Sequence, residues 1–192
     1  MKVIGLAGRA GSGKSTIARH LAQGRAVEWI DLDTVAWDTY APGTAVYARL
    51  VGAFGKGILN ESGKIDRSQL ADVAFADHET QETLNAIVHP AVSDAVETII
   101  LEYRRKGTEI LLIEGALLAS SPYVDRSAYD LMLWLETPDD VRVERLQAVG
   151  RSDHARRGRD ISPTGDYVTI RAEGSIEDVA GRILRAIAGG QD

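Results

Sequence analysis

The sequence predicts a three-layer α/β/α fold: a five-stranded parallel sheet covered by helices, a helical insert and an arginine-rich lid. Three observations predict it. Five short apolar runs are separated by helical patterns, as in a parallel sheet buried on both faces. Gly8–Ser15 matches G-x-x-x-x-G-K-[ST] in full and falls between the first run and the first helical pattern. The second and third runs are separated by about 70 residues, more than one crossover helix needs.

Each element has a local reason. Lys2–Ala7 is a short buried strand, and Ser15–Ala22 a helix with Ile17, Ala18 and Leu21 on one face. Gly24 suits its C-terminus. Ala26–Asp31 is the second strand, and Asp33 to Trp37 lie just past its end. Thr44–Phe54, Arg67–Ala76, Gln81–Val88 and Ala91–Arg105 read as helices, with loop from Gly55 through Lys64 between the first two. Ile110–Glu114, Leu131–Leu135 and Tyr167–Ile170 complete the sheet. Pro138-Asp139-Asp140 opens a helix, with acids at its positive end, and Gly150 closes it. The predicted organisation is a core of residues 1–38 and 108–192, with a lid at about 150–163, and an acceptor-binding insert at 39–107.

Composition narrows the function. The chain has 192 residues, enough for one domain with an insert. Acidic residues outnumber basic ones 28 to 22, for a net charge of −6, which argues against a general nucleic-acid binder. There is no cysteine, so disulfides, thiol catalysis and Cys-based metal sites are excluded, and a cytoplasmic location is expected. No uninterrupted apolar run reaches the roughly 20 residues of a membrane span, so no membrane partner is expected. Nothing in the sequence speaks for a particular oligomeric state.

The Gly8–Ser15 motif describes a phosphate loop (P-loop), and each fixed position has a chemical reason. Glycines let successive N–H groups turn toward phosphate oxygens, and the helix behind adds its positive end. Lys14 neutralises the outer phosphates, and the Ser15 hydroxyl ligates magnesium. Strand ends carry ligands in such sheets, and Asp31, Asp33 and Glu114 fall there. Asp33 is the candidate base that orients an acceptor hydroxyl and takes its proton, with Asp31 in support; Asp33 could instead cap a helix starting at Thr34. Glu114 either holds magnesium through water, binds the acceptor, or simply faces solvent. Arg142, Arg145, Arg151, Arg156, Arg157 and Arg159 form a basic run in an acidic protein. Taken alone it reads equally well as a solvated basic face; beside a phosphate loop it reads as a lid that closes on the transferring group, with Arg145 and Arg151 the first candidates to reach it.

These residues resemble the dephospho-coenzyme A kinase family over nearly the whole chain. Gly5-Leu6-Ala7-Gly8-Arg9-Ala10-Gly11-Ser12-Gly13-Lys14-Ser15-Thr16 is similar to the family's opening G-L-T-G-G-I-G-S-G-K-S, and Asp31-Leu32-Asp33 to its D-x-D. More specific are Gly63-Lys64-Ile65-Asp66-Arg67, Leu70-Ala71, Val73 and Phe75, then Leu84 and Ile87-Val88-His89-Pro90, in the family's order and approximate spacing. Ile113-Glu114-Gly115-Ala116-Leu117-Leu118 is similar to its strand ending in an acid before P-L-L. The resemblance implies a P-loop kinase that uses ATP and Mg2+ to phosphorylate the ribose 3′-hydroxyl of dephospho-coenzyme A. It implies that Gly8 and Ala10 through Thr16 bind ATP and that Asp33 is the base. It also implies that His89 lies near the acceptor, with Leu117 and Leu118 lining its pocket. Read without the family, His89 only shapes the chain before Pro90, and the two leucines only pack a core.

Several positions depart from the family pattern. Arg9 and Ala10 replace Gly-Ile, Trp37 stands where His or Arg is usual, and Ala116 replaces the Pro of P-L-L. The lid stretch from Arg151 to Asp160 lacks R-x-x-Q, and Thr169–Gly174 lacks the adenine-side Asn. Two other readings stand beside the first. One is a related kinase for a nucleoside, gluconate or shikimate; the other is a nucleotide-binding regulator without catalysis. The Gly63–Pro90 insert argues against the former, and Lys14, Ser15 and Asp33 against the latter.

Overall fold

The five apolar runs form five strands: β1 (Lys2–Ala7), β2 (Val27–Asp31), β3 (Ile110–Glu114), β4 (Leu131–Glu136) and β5 (Val168–Arg171). They make one parallel sheet in the order β2-β3-β1-β4-β5. In this computed structural model the described residues are 1–24, 26–122, 124–151, 162–163 and 165–189, without the side chains of Leu117 and Ser120. The chain divides into two units, Met1–Asp31 with Ile100–Asp192, and Leu32–Ile99.

In the sheet unit, Val3 and Ile4, then Leu6 and Ala7, are all fully buried on neighbouring positions of one strand, as a strand covered on both faces requires. One face sets Ile4, Leu6, Leu112, Leu133 and Leu135 among Ile17, Ala18 and Leu21 of helix α1 (Lys14–Leu21) and residues of the last helix. Further along the chain, four helices among the described residues carry residues of this unit: the end of α5 (His78–Arg105), α6 (Leu117–Ser120), α7 (Asp139–Ala148) and α8 (Ile176–Ala188). Val179, Ala180, Ile183 and Ile187 are the buried stripe of α8, and Ser175 with Asp178 forms a reciprocal capping box at its start. α7 ends as Gly150 predicts. Gly150 takes φ 70°, its N–H donates to the Gln147 carbonyl at 3.0 Å, and the Arg151 N–H donates to Leu146 at 2.8 Å.

The helical unit contains α2 (Leu32–Thr39), α3 (Ala45–Phe54), α4 (Arg67–Ala74) and most of α5. Thr44 caps α3 by accepting from the Tyr47 N–H at 3.1 Å. Asp66 caps α4 by accepting from Ser68 and Gln69 at 2.9 and 3.0 Å. Between them the Asn60 side chain folds the Glu61–Lys64 turn over itself, accepting from the N–H groups of Ser62 and Lys64. The Tyr47 hydroxyl donates to the Gly63 carbonyl at 2.7 Å. Leu50 and Ile58 are fully buried in this unit.

Two expectations need correction. Gln81–Val88 and Ala91–Arg105 are one helix, α5, with Pro90 inside it. The buried stripe Ile87, Val88, Val92, Val96 and Ile100 continues through the proline, so burial outweighs the local rule that a proline stops a helix. Pro90 cannot donate to the Ala86 carbonyl, and the Arg49 guanidinium approaches that oxygen at 3.5 Å. By length and composition alone α5 could cross a membrane, but its buried stripe is that of a core helix. The second correction concerns α2, which starts at Leu32 directly from β2. Asp33 therefore lies in its first turn and not at its cap. Of the expected lid, residues 152–161, including Arg156, Arg157 and Arg159, lie outside the described residues.

Candidate active site

The phosphate loop leaves β1 at Ala7 and enters α1 at Lys14. Gly11 takes φ 79°, and a Cβ there would come within 2.7 Å of the Arg142 carbonyl. A Cβ on Gly8 would come within 2.9 Å of the Leu135 carbonyl. Glycine is thus required by conformation at the first position and by close backbone approach at both. The Lys14 ammonium folds back over the loop and donates to the carbonyls of Gly8 and Arg9 at 2.9 and 3.2 Å.

Side chains from the β4–α7 connection and from α7 hold the loop from outside. The Thr137 hydroxyl donates to the Ser12 carbonyl at 3.0 Å. Arg142 donates through Nη1 to the Ala10 carbonyl at 2.6 Å. Its Nε and Nη2 donate to Asp139 Oδ1 at 3.1 and 3.0 Å. Arg9 donates to the same oxygen at 2.8 Å. Arg145 lies alongside, its Nη1 at 3.5 and 3.4 Å from the Gly11 and Ser12 carbonyls. In a trans peptide the C=O and the following N–H point in opposite directions. Holding the Ala10 and Ser12 carbonyls outward therefore turns the Gly11 and Gly13 N–H groups the other way, toward the space the loop encloses.

The loop fits a polyphosphate. Gly13 sits at the N-cap of α1 with no side-chain cap, so the helix end is open to an anion. Ser12 Oγ is buried with no hydrogen-bond partner, the kind of orphan that a bound oxygen satisfies. The site also suits magnesium. Ser15 is exposed in the first turn of α1, and Asp31 and Glu114 are register partners at the ends of β2 and β3. Glu114 is 2% exposed. A hydroxyl and one or two carboxylates supplement phosphate and water ligands well for this ion. Among the described residues no group of three or more His, Cys, Asp or Glu is gathered for a metal.

The helical unit carries Asp33 and His89. Arg67 stacks over the Trp37 ring. Burial pushes the Tyr40 phenol up, Arg67 opposes that shift, and the nearby Asp33 charge adds to it. Asp33, Trp37, Tyr40 and Arg67 thus form one electrostatic neighbourhood around a stacked guanidinium. His89 is 8% exposed, and burial pushes its imidazole down. In the sheet unit Leu118 is fully buried and its carbonyl accepts from the Tyr167 hydroxyl at 2.7 Å; Leu117 lies in α6. Arg151 is exposed just past α7.

The family model for dephospho-CoA kinase matches residues 2–159. The chain belongs to the dephospho-CoA kinase family. A dephospho-CoA kinase of Corynebacterium jeikeium is 35% identical over 184 residues, covering 95% of this chain and 93% of that one. The dephospho-CoA kinase of Geobacter sulfurreducens is 37% identical over 158 residues, covering 82% and 80%. A Thermus thermophilus protein of known crystal structure, TT1252, superposes with TM-score 0.74 at 27% identity, over 98% of this chain and 96% of that one.

Sequence reasoning missed the outer ties of this family member's loop. It grouped Arg142 with the arginines of the lid, whereas Arg142 is 1% exposed and grips the loop. The available signal was the Asp139–Arg142 spacing, one helical turn apart at a helix start. The Trp37–Arg67 stack was also missed, although Trp37 stood out as a departure.

Proposed function

We propose that this protein transfers the γ-phosphate of ATP to the ribose 3′-hydroxyl of dephospho-coenzyme A, giving coenzyme A and ADP. The observation that carries the reading is the phosphate cradle, with its carbonyls held outward, in a chain of this family. Gly8 and Ala10 through Thr16 bind the ATP phosphates, and Lys14 swings from its loop carbonyls to the outer phosphates. Ser15 would hold Mg2+, with Glu114 contributing through water, and Asp31 supports Asp33. That ion supplies charge neutralisation on the phosphates when bound. Asp33 orients the acceptor hydroxyl and accepts its proton as the new P–O bond forms. Arg145 and Arg151 stabilise charge on the transferring group. His89, Leu117 and Leu118 contribute to the acceptor side. The core and the helical insert divide the work between nucleotide and acceptor. The reaction needs no nucleic acid or membrane partner, and we place it in the cytoplasm.

The test is turnover. With ATP, magnesium and dephospho-coenzyme A, ADP release is expected, and none with adenosine, gluconate or shikimate in its place. Turnover of one of those alone would move the acceptor assignment. ATP binding without turnover of any acceptor would make the protein a nucleotide-binding regulator.

A further inference from the structure

We propose that Arg142, oriented by Asp139, is a positioning residue that presets the phosphate loop for ATP. The inference rests on the nucleotide-binding reading of that loop and goes beyond it, because Arg142 touches no reacting group. Its guanidinium is buried to 1% exposure, where a cation persists only with its donors engaged. Three of them are. Nη1 takes the Ala10 carbonyl at 2.6 Å, while Nε and Nη2 share Asp139 Oδ1. The Ala10 carbonyl belongs to the peptide whose N–H is that of Gly11. Fixing that oxygen fixes the direction of an N–H in the middle of the cradle. The loop also sits hard against this stretch of α7: the Arg142 main-chain oxygen occupies the space a Gly11 Cβ would need. One arginine thus contacts the loop through both its main chain and its side chain.

Asp139 ties the arrangement together. Its Oδ1 also accepts from Arg9 at 2.8 Å. Arg9 is a position where this chain departs from the Gly of the family pattern. A single carboxylate oxygen thereby links the loop's second residue to the buried arginine that holds its third. A preset loop makes its hydrogen bonds to phosphate without first ordering itself, so the effect falls on nucleotide affinity.

The test compares Arg142→Lys and Arg142→Met with the wild-type protein by calorimetric titration of ATP and ADP, by KM for both substrates, and by thermal melting. A lysine ammonium reaches the Ala10 oxygen or Asp139 but not both. Arg142→Lys is therefore expected to weaken ATP and ADP binding about tenfold, the size of one charge-assisted hydrogen bond, and Arg142→Met more. KM for dephospho-coenzyme A should stay within twofold. Unchanged ATP affinity in a folded Arg142→Lys protein overturns the proposal. So does an equal loss for both substrates, which a general structural defect would produce. If Arg142→Met does not fold, Asp139→Asn, on an exposed carboxylate, serves instead: about threefold weaker ATP binding is expected, and unchanged binding overturns the proposal. Failure of the wild-type protein to bind ATP would overturn the phosphate-loop reading itself. Wild-type binding with unaltered variants overturns only the role of Arg142.

Discussion

In the sheet unit the phosphates are proposed to meet a cradle of main-chain N–H groups, with Lys14 added at the outer phosphates, and other side chains hold the matching carbonyls from behind. In the helical unit the groups proposed to meet substrate are side chains carried on helices, Asp33 in the first turn of α2 and His89 in α5. The difference follows from the ligands. A polyphosphate presents many equivalent oxygens, and any backbone that aims several N–H groups at one place will hold it. An acceptor hydroxyl must be selected and deprotonated, which needs a side chain of the right chemistry at one position. The first solution forces glycines into a fixed spacing. The second leaves only isolated residues in the sequence.

That contrast breaks if the two regions fail separately tested losses of the expected kind. Lys14→Ala removes the cation from the phosphates and is expected to lower kcat/KM for ATP by roughly a thousandfold, with weaker ATP binding, comparable to removing a transition-state charge stabiliser. Asp33→Asn keeps the shape and loses the base. Turnover should fall by about a hundredfold or more, while ATP affinity stays as in the wild type. Steady-state kinetics with calorimetric ATP titration reads both. Near-normal turnover of Asp33→Asn would take the base role from Asp33. Normal ATP affinity in Lys14→Ala would remove the contrast altogether.

Packing sharpens the comparison on a smaller scale. The sheet unit draws its core from all five strands and from α1 and α8. The short helices α3 and α4 contribute one or two buried residues each, Leu50 from α3 and Leu70 and Ala74 from α4. Leu50 is fully buried, so Leu50→Ala leaves a cavity and should destabilise the protein by about 2–5 kcal/mol. Val73→Ala, at a position 40% exposed on α4, should change stability by only about 0.5 kcal/mol. Urea unfolding followed by circular dichroism measures both. Equal effects would show that Leu50 is not a core residue in solution.

What was legible in the sequence follows the same division. β3 runs from Ile110 to Glu114 as its apolar run reads, and the phosphate loop lies where its motif does. Both are written in contiguous residues. The fusion of two expected helices into α5 was not legible, because the competing signals, a proline and a buried stripe, are weighed only when the stripe meets its packing partners. Arg142 was misread for the opposite reason. Its neighbours Arg145 and Arg151 are exposed, and nothing local distinguishes the one arginine that folds inward. The Trp37–Arg67 stack joins residues 30 apart, so the unusual tryptophan was visible but its partner was not.

His89 gives the mildest way to sharpen the comparison, through a shift in pH dependence. Burial holds its imidazole below the ordinary value, so the native helical unit keeps it neutral where the unfolded chain would protonate it. Above the unfolded value of about 6.5 both states are neutral and its contribution to stability is complete. As pH falls below about 6.5 the unfolded chain binds the proton first, and stability declines until the native imidazole also titrates, then levels off. The lowered carboxyls of Asp77, Glu177 and Asp178, held by hydrogen bonds at helix starts, act in a lower window. Their contributions are present above the ordinary carboxylate range and are lost as pH falls through it. Urea midpoints between pH 7.5 and 5 should therefore drop in the wild-type protein and drop less in His89→Gln. The same slope in both proteins would mean that His89 titrates normally in the native state.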